Sequence, residues 1–307
     1  MISLRRIDHV SLRVADVEDA TSRWSHQFGL VERERDDRKT RLACDDEPFC
    51  LELVAAEAPG VGHVAYELNR SCTPDDAGRH FERLGVDYRG REGGLEVADP
   101  EGNRVIVLPY RESGARWTAH ARPAGDLVVG HPRKLGHVNF LTGDISRGVE
   151  FYTRVLGMRV TDWLGDGGVW FHINGDHHVM ALVDKGYSHL HHLAFDVVDI
   201  GQMRVALDHL GRHGRWLGWG PARHGIGGNI ASYVRIVEEE CFVELYCDME
   251  QLEAGHEPRR WPDDRYSSTT WGPLPPRSSF RFDAAAVASE RESLEMLGTP
   301  LPEEVRP

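Results

Sequence analysis

The chain has 307 residues, 40% hydrophobic and 28% charged, proportions of a globular protein that exclude wholesale disorder. No apolar run approaches the roughly 18 residues of a membrane-spanning helix, and Met1-Ile2-Ser3-Leu4-Arg5-Arg6 lacks the apolar core expected of a secretion signal. A net charge of −13, from 36 basic and 49 acidic residues, argues against a nucleic-acid partner.

The first legible strand is Ile7-Asp8-His9-Val10-Ser11-Leu12. Asp16 then caps a helix whose Val17, Ala20, Trp24 and Phe28 share a face, and Gly29 ends it. A strand at Gly62-His63-Val64-Ala65-Tyr66 leads to a second helix, opened by Thr73-Pro74 and closed by Gly85, with Ala77, Phe81 and Leu84 inward. Asp99-Pro100-Glu101-Gly102-Asn103 is a turn before the strand Arg104 to Leu108. Leu135-Gly136-His137-Val138-Asn139-Phe140 opens the second half. A helix follows from Asp144 through Val149, Tyr152 and Leu156 to Gly157. The strand His191-His192-Leu193-Ala194-Phe195 precedes a helix from Asp199 through Ile200, Met203, Leu207 and Leu210 to Gly211. Cys241-Phe242-Val243-Glu244-Leu245-Tyr246-Cys247 is a late apolar strand with one acid in it.

This order repeats. His9 returns 128 residues later as His137, and Gly29 returns at the same offset as Gly157. His63 corresponds to His192 at an offset of 129. Two homologous halves, each internally doubled, account for the pattern. The expected fold class is α+β: two tandem domains, each of two β-α-β-β-β modules, forming an open, curved mixed-sheet barrel. The expected division is 1–115 for an N-terminal domain without a metal site and 116–133 for a linker. Residues 134–250 would form a catalytic metal-binding domain, and 251–307 a tail packed on it.

Strand parity carries the chemical hint. Side chains alternate faces along a strand, so His137 and Asn139 oppose Val138 and Phe140. Likewise His192, Ala194 and Asp196 oppose Leu193, Phe195 and Val197. Inward histidines of this kind can be satisfied core or surface residues. Glu244, an acid on an otherwise apolar strand, favours a second reading, because a buried carboxylate is costly unless paired or bound to metal. Two histidines and one carboxylate make the facial triad of non-haem Fe(II) oxygenases. The five cysteines (44, 50, 72, 241, 247) include no C-x-x-C pair and fit a reduced cytoplasmic chain.

Taken together, these motifs resemble the type I extradiol (meta-cleaving) catechol dioxygenases of the vicinal oxygen chelate superfamily, over roughly residues 5–250. The matching residues are Gly136 to Phe140, His178-Val179-Met180-Ala181-Leu182, His191 to Phe195, Arg223-His224-Gly225 with Tyr233 nine residues on, and Val243 to Tyr246. The resemblance implies His137, His192 and Glu244 as ligands of Fe(II), with Mn(II) as the alternative. It implies His178 as the acid–base residue, His224 and Tyr233 as hydrogen-bonding partners of substrate and oxygenated intermediate, and Trp170 near the pocket. It further implies a catechol-type substrate with O₂, and a homo-oligomer. His191 reads as structural. His131, His172, His189, His209 and His213 read as surface or locally bonded residues.

Two departures stand out. Ile236-Val237-Glu238-Glu239-Glu240 replaces the family's turn before the metal glutamate, which leaves Glu240 as a rival ligand. The first half keeps His9 and His63 but has Ile106 in the strand where a carboxylate would be needed, so a second metal site is not expected. The loop Gly218-Trp219-Gly220-Pro221-Ala222-Arg223 places Trp219 where carboxylate-binding relatives offer a cation. An uncharged or apolar-substituted catechol is therefore favoured, with Arg223, Arg265 or Arg277 as the residues that would reverse this. A glyoxalase-like metal enzyme and a non-catalytic binding protein of the same fold remain the alternatives.

Overall fold

A computed structural model describes residues 1–44, 47–91, 93–112, 130–215, 217–276 and 282. Most of the expected linker 116–133, and the tail beyond 276 apart from Phe282, lie outside the described residues. Arg277 is among the latter.

Four β-α-β-β-β modules follow one another. The first is β1 (Leu4–Val14), α1 (Val17–Phe28), β2 (Val31–Arg35), β3 (Lys39–Ala43) and β4 (Leu51–Ala55). The second is β5 (Gly60–Leu68), α2 (Pro74–Leu84), β6 (Arg89–Arg91), β7 (Gly94–Ala98) and β8 (Arg104–Leu108). The third is β9 (Lys134–Thr142), α3 (Ile145–Glu150), β10 (Arg159–Leu164), β11 (Gly168–His172) and β12 (Met180–Asp184). The fourth is β13 (His189–Asp196), α4 (Ile200–Arg212), β14 (Leu217–Arg223), β15 (Ile230–Ile236) and β16 (Cys241–Cys247). A short strand β17 (Arg259–Trp261) and helix α5 (Arg265–Ser268) come last.

Modules one and two build one sheet, ordered β2-β3-β4-β1-β5-β8-β7-β6. Modules three and four build another, ordered β14-β15-β16-β13-β9-β12-β11-β10-β17. Each sheet is mixed and open. Its two central strands, β1 with β5 or β9 with β13, run antiparallel, and each has a parallel partner from its own module.

The helices start where short polar side chains satisfy their first free N–H groups. Asp16, Asp144 and Asp199 accept from the backbone N of Asp19, Arg147 and Gln202, at 2.9, 3.0 and 2.8 Å. Thr73 and Asp76 cap α2 reciprocally. Gly29 and Gly85 close α1 and α2 in the left-handed region. Two helices depart from the sequence reading. The third relaxes into a π-helical turn over Phe151–Val155. The fourth runs through Gly211 to Arg212 and is capped by His213, ahead of Gly214 at φ +74°.

The apolar strand faces pack under the helices as parity requires. Val138, Phe140, Leu193 and Phe195 join Trp24, Phe28, Phe81 and Tyr152 in one core that runs through both halves. Trp24 of α1 and Phe195 of β13 meet across the halves at 6.4 Å. The opposite face of the second sheet lines a cavity.

Candidate metal centre

Three donors converge at the bottom of that cavity. His137 Nε2 on β9 and His192 Nε2 on β13 each lie 3.1 Å from Glu244 Oε2 on β16. Register explains the meeting. His137 and Glu244 both pair with Ala194, from either side of β13, and His192 stands two residues away on the same face. All three side chains are buried. Bonds of about 2.1 Å set at right angles would hold donor atoms about 3 Å apart, which is the spacing found. The residues fit a divalent ion with open positions on the cavity side. Glu240 does not join them: it lies in the β15–β16 turn at φ +55°, where its carbonyl accepts from His189 Nε2 at 2.6 Å.

Each donor is held from behind. The ring of Tyr246 packs on His137 at 5.0 Å. Gly136 lets it approach, since a Cβ there would fall 1.8 Å from the Tyr246 hydroxyl. Glu244 Oε1 accepts from Asn229 Nδ2 at 2.9 Å. Burial works against the Glu244 carboxylate, yet His137 beside it keeps its pKa below the usual range. Burial and the neighbouring histidines push His192 well down, which favours the neutral ring a metal needs.

The cavity, about 330 Å³, is lined by His178, His224, Tyr233, Trp170 and Trp219 as well as the donors. His178 packs against His137 at 4.2 Å between ring centres. Burial, then His137 and the other nearby histidines, hold it far below the ordinary imidazole range. His224 Nδ1 donates to the Ser268 carbonyl of α5 at 2.9 Å, so its Nε2 accepts from the Tyr233 hydroxyl at 2.8 Å. Burial and the Glu244 charge push the Tyr233 phenol well up, so it stays a donor. Trp219 stacks on Tyr233 at 4.9 Å and 10°, and its indole N–H donates to the Pro273 carbonyl at 2.7 Å.

Comparison with known proteins follows the same lines. Residues 134–236 match the family model described as Glyoxalase/Bleomycin resistance protein/Dioxygenase superfamily. A relative named metapyrocatechase 2, from Cupriavidus necator, is 29% identical over 304 residues, covering 88% of this chain and 90% of the relative. Residues 134–236 thus resemble a domain of that glyoxalase and dioxygenase superfamily. Two solved structures share the fold at TM-score 0.77. One is a variant of homoprotocatechuate 2,3-dioxygenase from B. fuscum, 21% identical over 91% of this chain and 81% of that one. The other is an Mn(II)-bound glyoxalase from Novosphingobium aromaticivorans, 23% identical over 90% and 94%.

Some features of this site are not legible in the sequence. A β-bulge at His191 interrupts the β9–β13 ladder, matching one at Gly62 between β1 and β5. The extra residue turns His191 to the cavity beside His192, the two Nδ1 atoms 2.7 Å apart. His191 thus lines the site it was expected only to support. Asn229, His177 and Asp162 are further residues that sequence reasoning misses; a Gly-Gly-Asn sequence and a histidine doublet are the signals the chain carries for the first two. Arg223 is not among the lining residues, and its Nη1 lies 3.4 Å from Asp248. Two histidines read as surface or locally bonded are buried: His131 Nε2 reaches the distant Cys44 carbonyl at 2.5 Å, and His172 bonds locally to Thr161 on the adjacent strand at 2.7 Å.

Proposed function

We propose that this protein is an extradiol ring-cleaving dioxygenase. It would add both atoms of O₂ to an uncharged or apolar-substituted catechol and open the ring beside the diol, giving a muconic semialdehyde-type product. The observation that carries the reading is His137, His192 and Glu244 at metal-ligand spacing on the floor of a cavity whose wall holds His178 and the His224–Tyr233 pair. Fe(II) held by the triad, or Mn(II) in its place, would supply open positions for diol and dioxygen and a path for electrons between them.

The chain's own groups do the rest. His178 accepts a proton from the catechol hydroxyl and returns it after cleavage; general acid–base help of this kind is worth about 10²–10⁴-fold. The Tyr233 hydroxyl, turning its one proton from His224 Nε2, donates a hydrogen bond to negative charge that develops on oxygen. Trp170 and Trp219 give flat walls for an aromatic ring. Lys185 is the only lysine or arginine among the described lining residues, and Asp184 and Asp263 accompany it. The lining therefore offers no surplus of positive charge to a substrate carboxylate, whose burial without a partner is costly.

The deciding experiment loads the protein anaerobically with Fe(II) and follows O₂ uptake with a panel of substituted catechols. Stoichiometric uptake with a coloured ring-opened product supports the reading. Metal binding without catechol-dependent uptake would refute it and favour another enzyme or a binding protein of this superfamily.

A further inference from the structure

Behind His178, away from the cavity, lies a buried chain of groups that the reaction as described does not use. His178 Nδ1 is 2.9 Å from His177 Nδ1, and His177 Nε2 is 3.1 Å from Asp162 Oδ2. His177 and Asp162 are both fully buried. Resting on the reading of His178 as the proton-transfer group, we propose that Asp162 and His177 are positioning residues. They hold His178 in the tautomer with its proton on Nδ1, leaving a lone pair on Nε2 for the substrate.

The argument runs from donors of known hydrogen position toward those that are ambiguous. Arg259 and the Trp261 indole can only donate. Arg259 Nε reaches Asp162 Oδ1 at 2.9 Å, while Arg259 Nη2 and Trp261 Nε1 reach Oδ2 at 2.9 and 2.8 Å. Asp162 is therefore an ionised acceptor. Burial alone would raise its pKa, but the hydrogen bonds it accepts from His177, Arg259 and Trp261 help hold it at about 2. The hydrogen between His177 and Asp162 must then sit on His177 Nε2. A neutral His177 is left with its lone pair on Nδ1, and a bond to His178 forms only if His178 Nδ1 carries the proton. Nε2 of His178 is the nitrogen that remains for the cavity.

His177 is fixed in place by its neighbours. Its N–H donates to the Glu250 carbonyl at 3.0 Å, and its carbonyl accepts from Thr161 Oγ1 at 2.8 Å. Gly227, at φ +78°, faces the ring so closely that a Cβ would come within 3.2 Å of His177 Nδ1.

The functional consequence is directional. The catechol O–H bond breaks, an N–H bond forms at His178 Nε2, and the electron pair stays on oxygen. The imidazolium so formed keeps its Nδ1–H bond to His177 and is stabilised through it by Asp162. With the proton on Nε2 instead, His178 could not accept there at all. Loss of an orienting partner of this kind typically costs about ten- to a hundredfold in activity.

Neutron diffraction from deuterium-exchanged crystals of the metal-loaded protein reads the tautomer directly, which X-ray data do not. The expected result is deuterium on His177 Nε2 and His178 Nδ1; deuterium on His178 Nε2 overturns the proposal. Kinetics supply the second arm. Asp162→Asn should lower kcat about ten- to a hundredfold with KM for the catechol and metal content unchanged, and Asp162→Glu should recover part of the loss. His178→Gln separates the two levels. If it turns over like the wild type, the assignment of His178 itself fails. If it is slow while Asp162→Asn keeps wild-type kcat, only the positioning role falls.

Discussion

Ile106→Glu should build a second metal site in the N-terminal sheet. His9, Ala65 and Ile106 face one another across β1, β5 and β8 in the register that His137, Ala194 and Glu244 keep across β9, β13 and β16. His9 Nε2 is already 2.9 Å from His63 Nε2, and His9 Nδ1 is 2.7 Å from Asp8 Oδ1. An outer carboxylate of that kind is what orients metal-bound histidines. Ile106 is 7% exposed, so the new carboxylate would be buried. An uncompensated buried charge costs several kcal/mol. Glu96, opposite Ile106, would add like-charge repulsion, which its partners Arg89 and Arg91 offset in part. A net loss of about 2 kcal/mol in the metal-free variant corresponds to a Tm lower by roughly 4–8 °C. Metal at a hundred times its Kd would return about 2.7 kcal/mol. The assay is metal stoichiometry together with Mn(II)-dependent Tm, measured in a Glu244→Ala background so that only the new site responds. One equivalent of metal and a recovered Tm are expected. No bound metal and no Mn(II)-dependent shift would refute the view that Ile106 alone stands between the first half and a metal site.

Other outcomes follow from the same geometry. Glu244→Ala should lose most metal and O₂ uptake while circular dichroism stays native, whereas Glu240→Ala should keep both, because Glu240 is not among the cavity's lining residues and its carbonyl is bonded to His189; metal retained in the first variant would move the ligand elsewhere. Asp162, held at about 2 against an ordinary 3.8, stabilises the fold by about 2 kcal/mol above pH 4. Its folded pKa is depressed, so that contribution should fade as pH drops from about 4 to 2 in wild type. Urea titrations of Asp162→Asn should show the deficit at pH 7 and its disappearance near pH 2. Tyr233→Phe should slow turnover less than His178→Phe, since it removes one hydrogen bond rather than the proton acceptor, and stopped-flow rates would rank the two. An alkyl- or arylcatechol should exceed a carboxylated catechol in kcat/KM, and Arg223→Ala should not alter that ratio; a tenfold preference for the carboxylate, abolished by Arg223→Ala, would reverse the substrate assignment.

The sequence by itself was enough for what depends on local periodicity. The two-residue alternation of a strand put His137 and His192 opposite the core-facing Val138 and Leu193, and the helix period picked out Val17, Ala20, Trp24 and Phe28 as one face. The 128-residue recurrence of His9 as His137 showed the doubled architecture, and a lone acid between Val243 and Leu245 marked the third donor. Tertiary structure decided what depends on which strands pair and where their register slips. Ala194 pairs with His137 on one side and Glu244 on the other, and this sets the 3.1 Å spacing that no linear distance in the chain implies. A single bulge turns His191 inward. Asp162 gains its donors from Arg259 and Trp261, nearly a hundred residues downstream, because β17 adds parallel to β10. Periodicity is a property of neighbouring residues and survives in the sequence. Contacts between distant segments are set by the balance of packing and hydrogen bonding across the whole sheet, and only the folded chain records them.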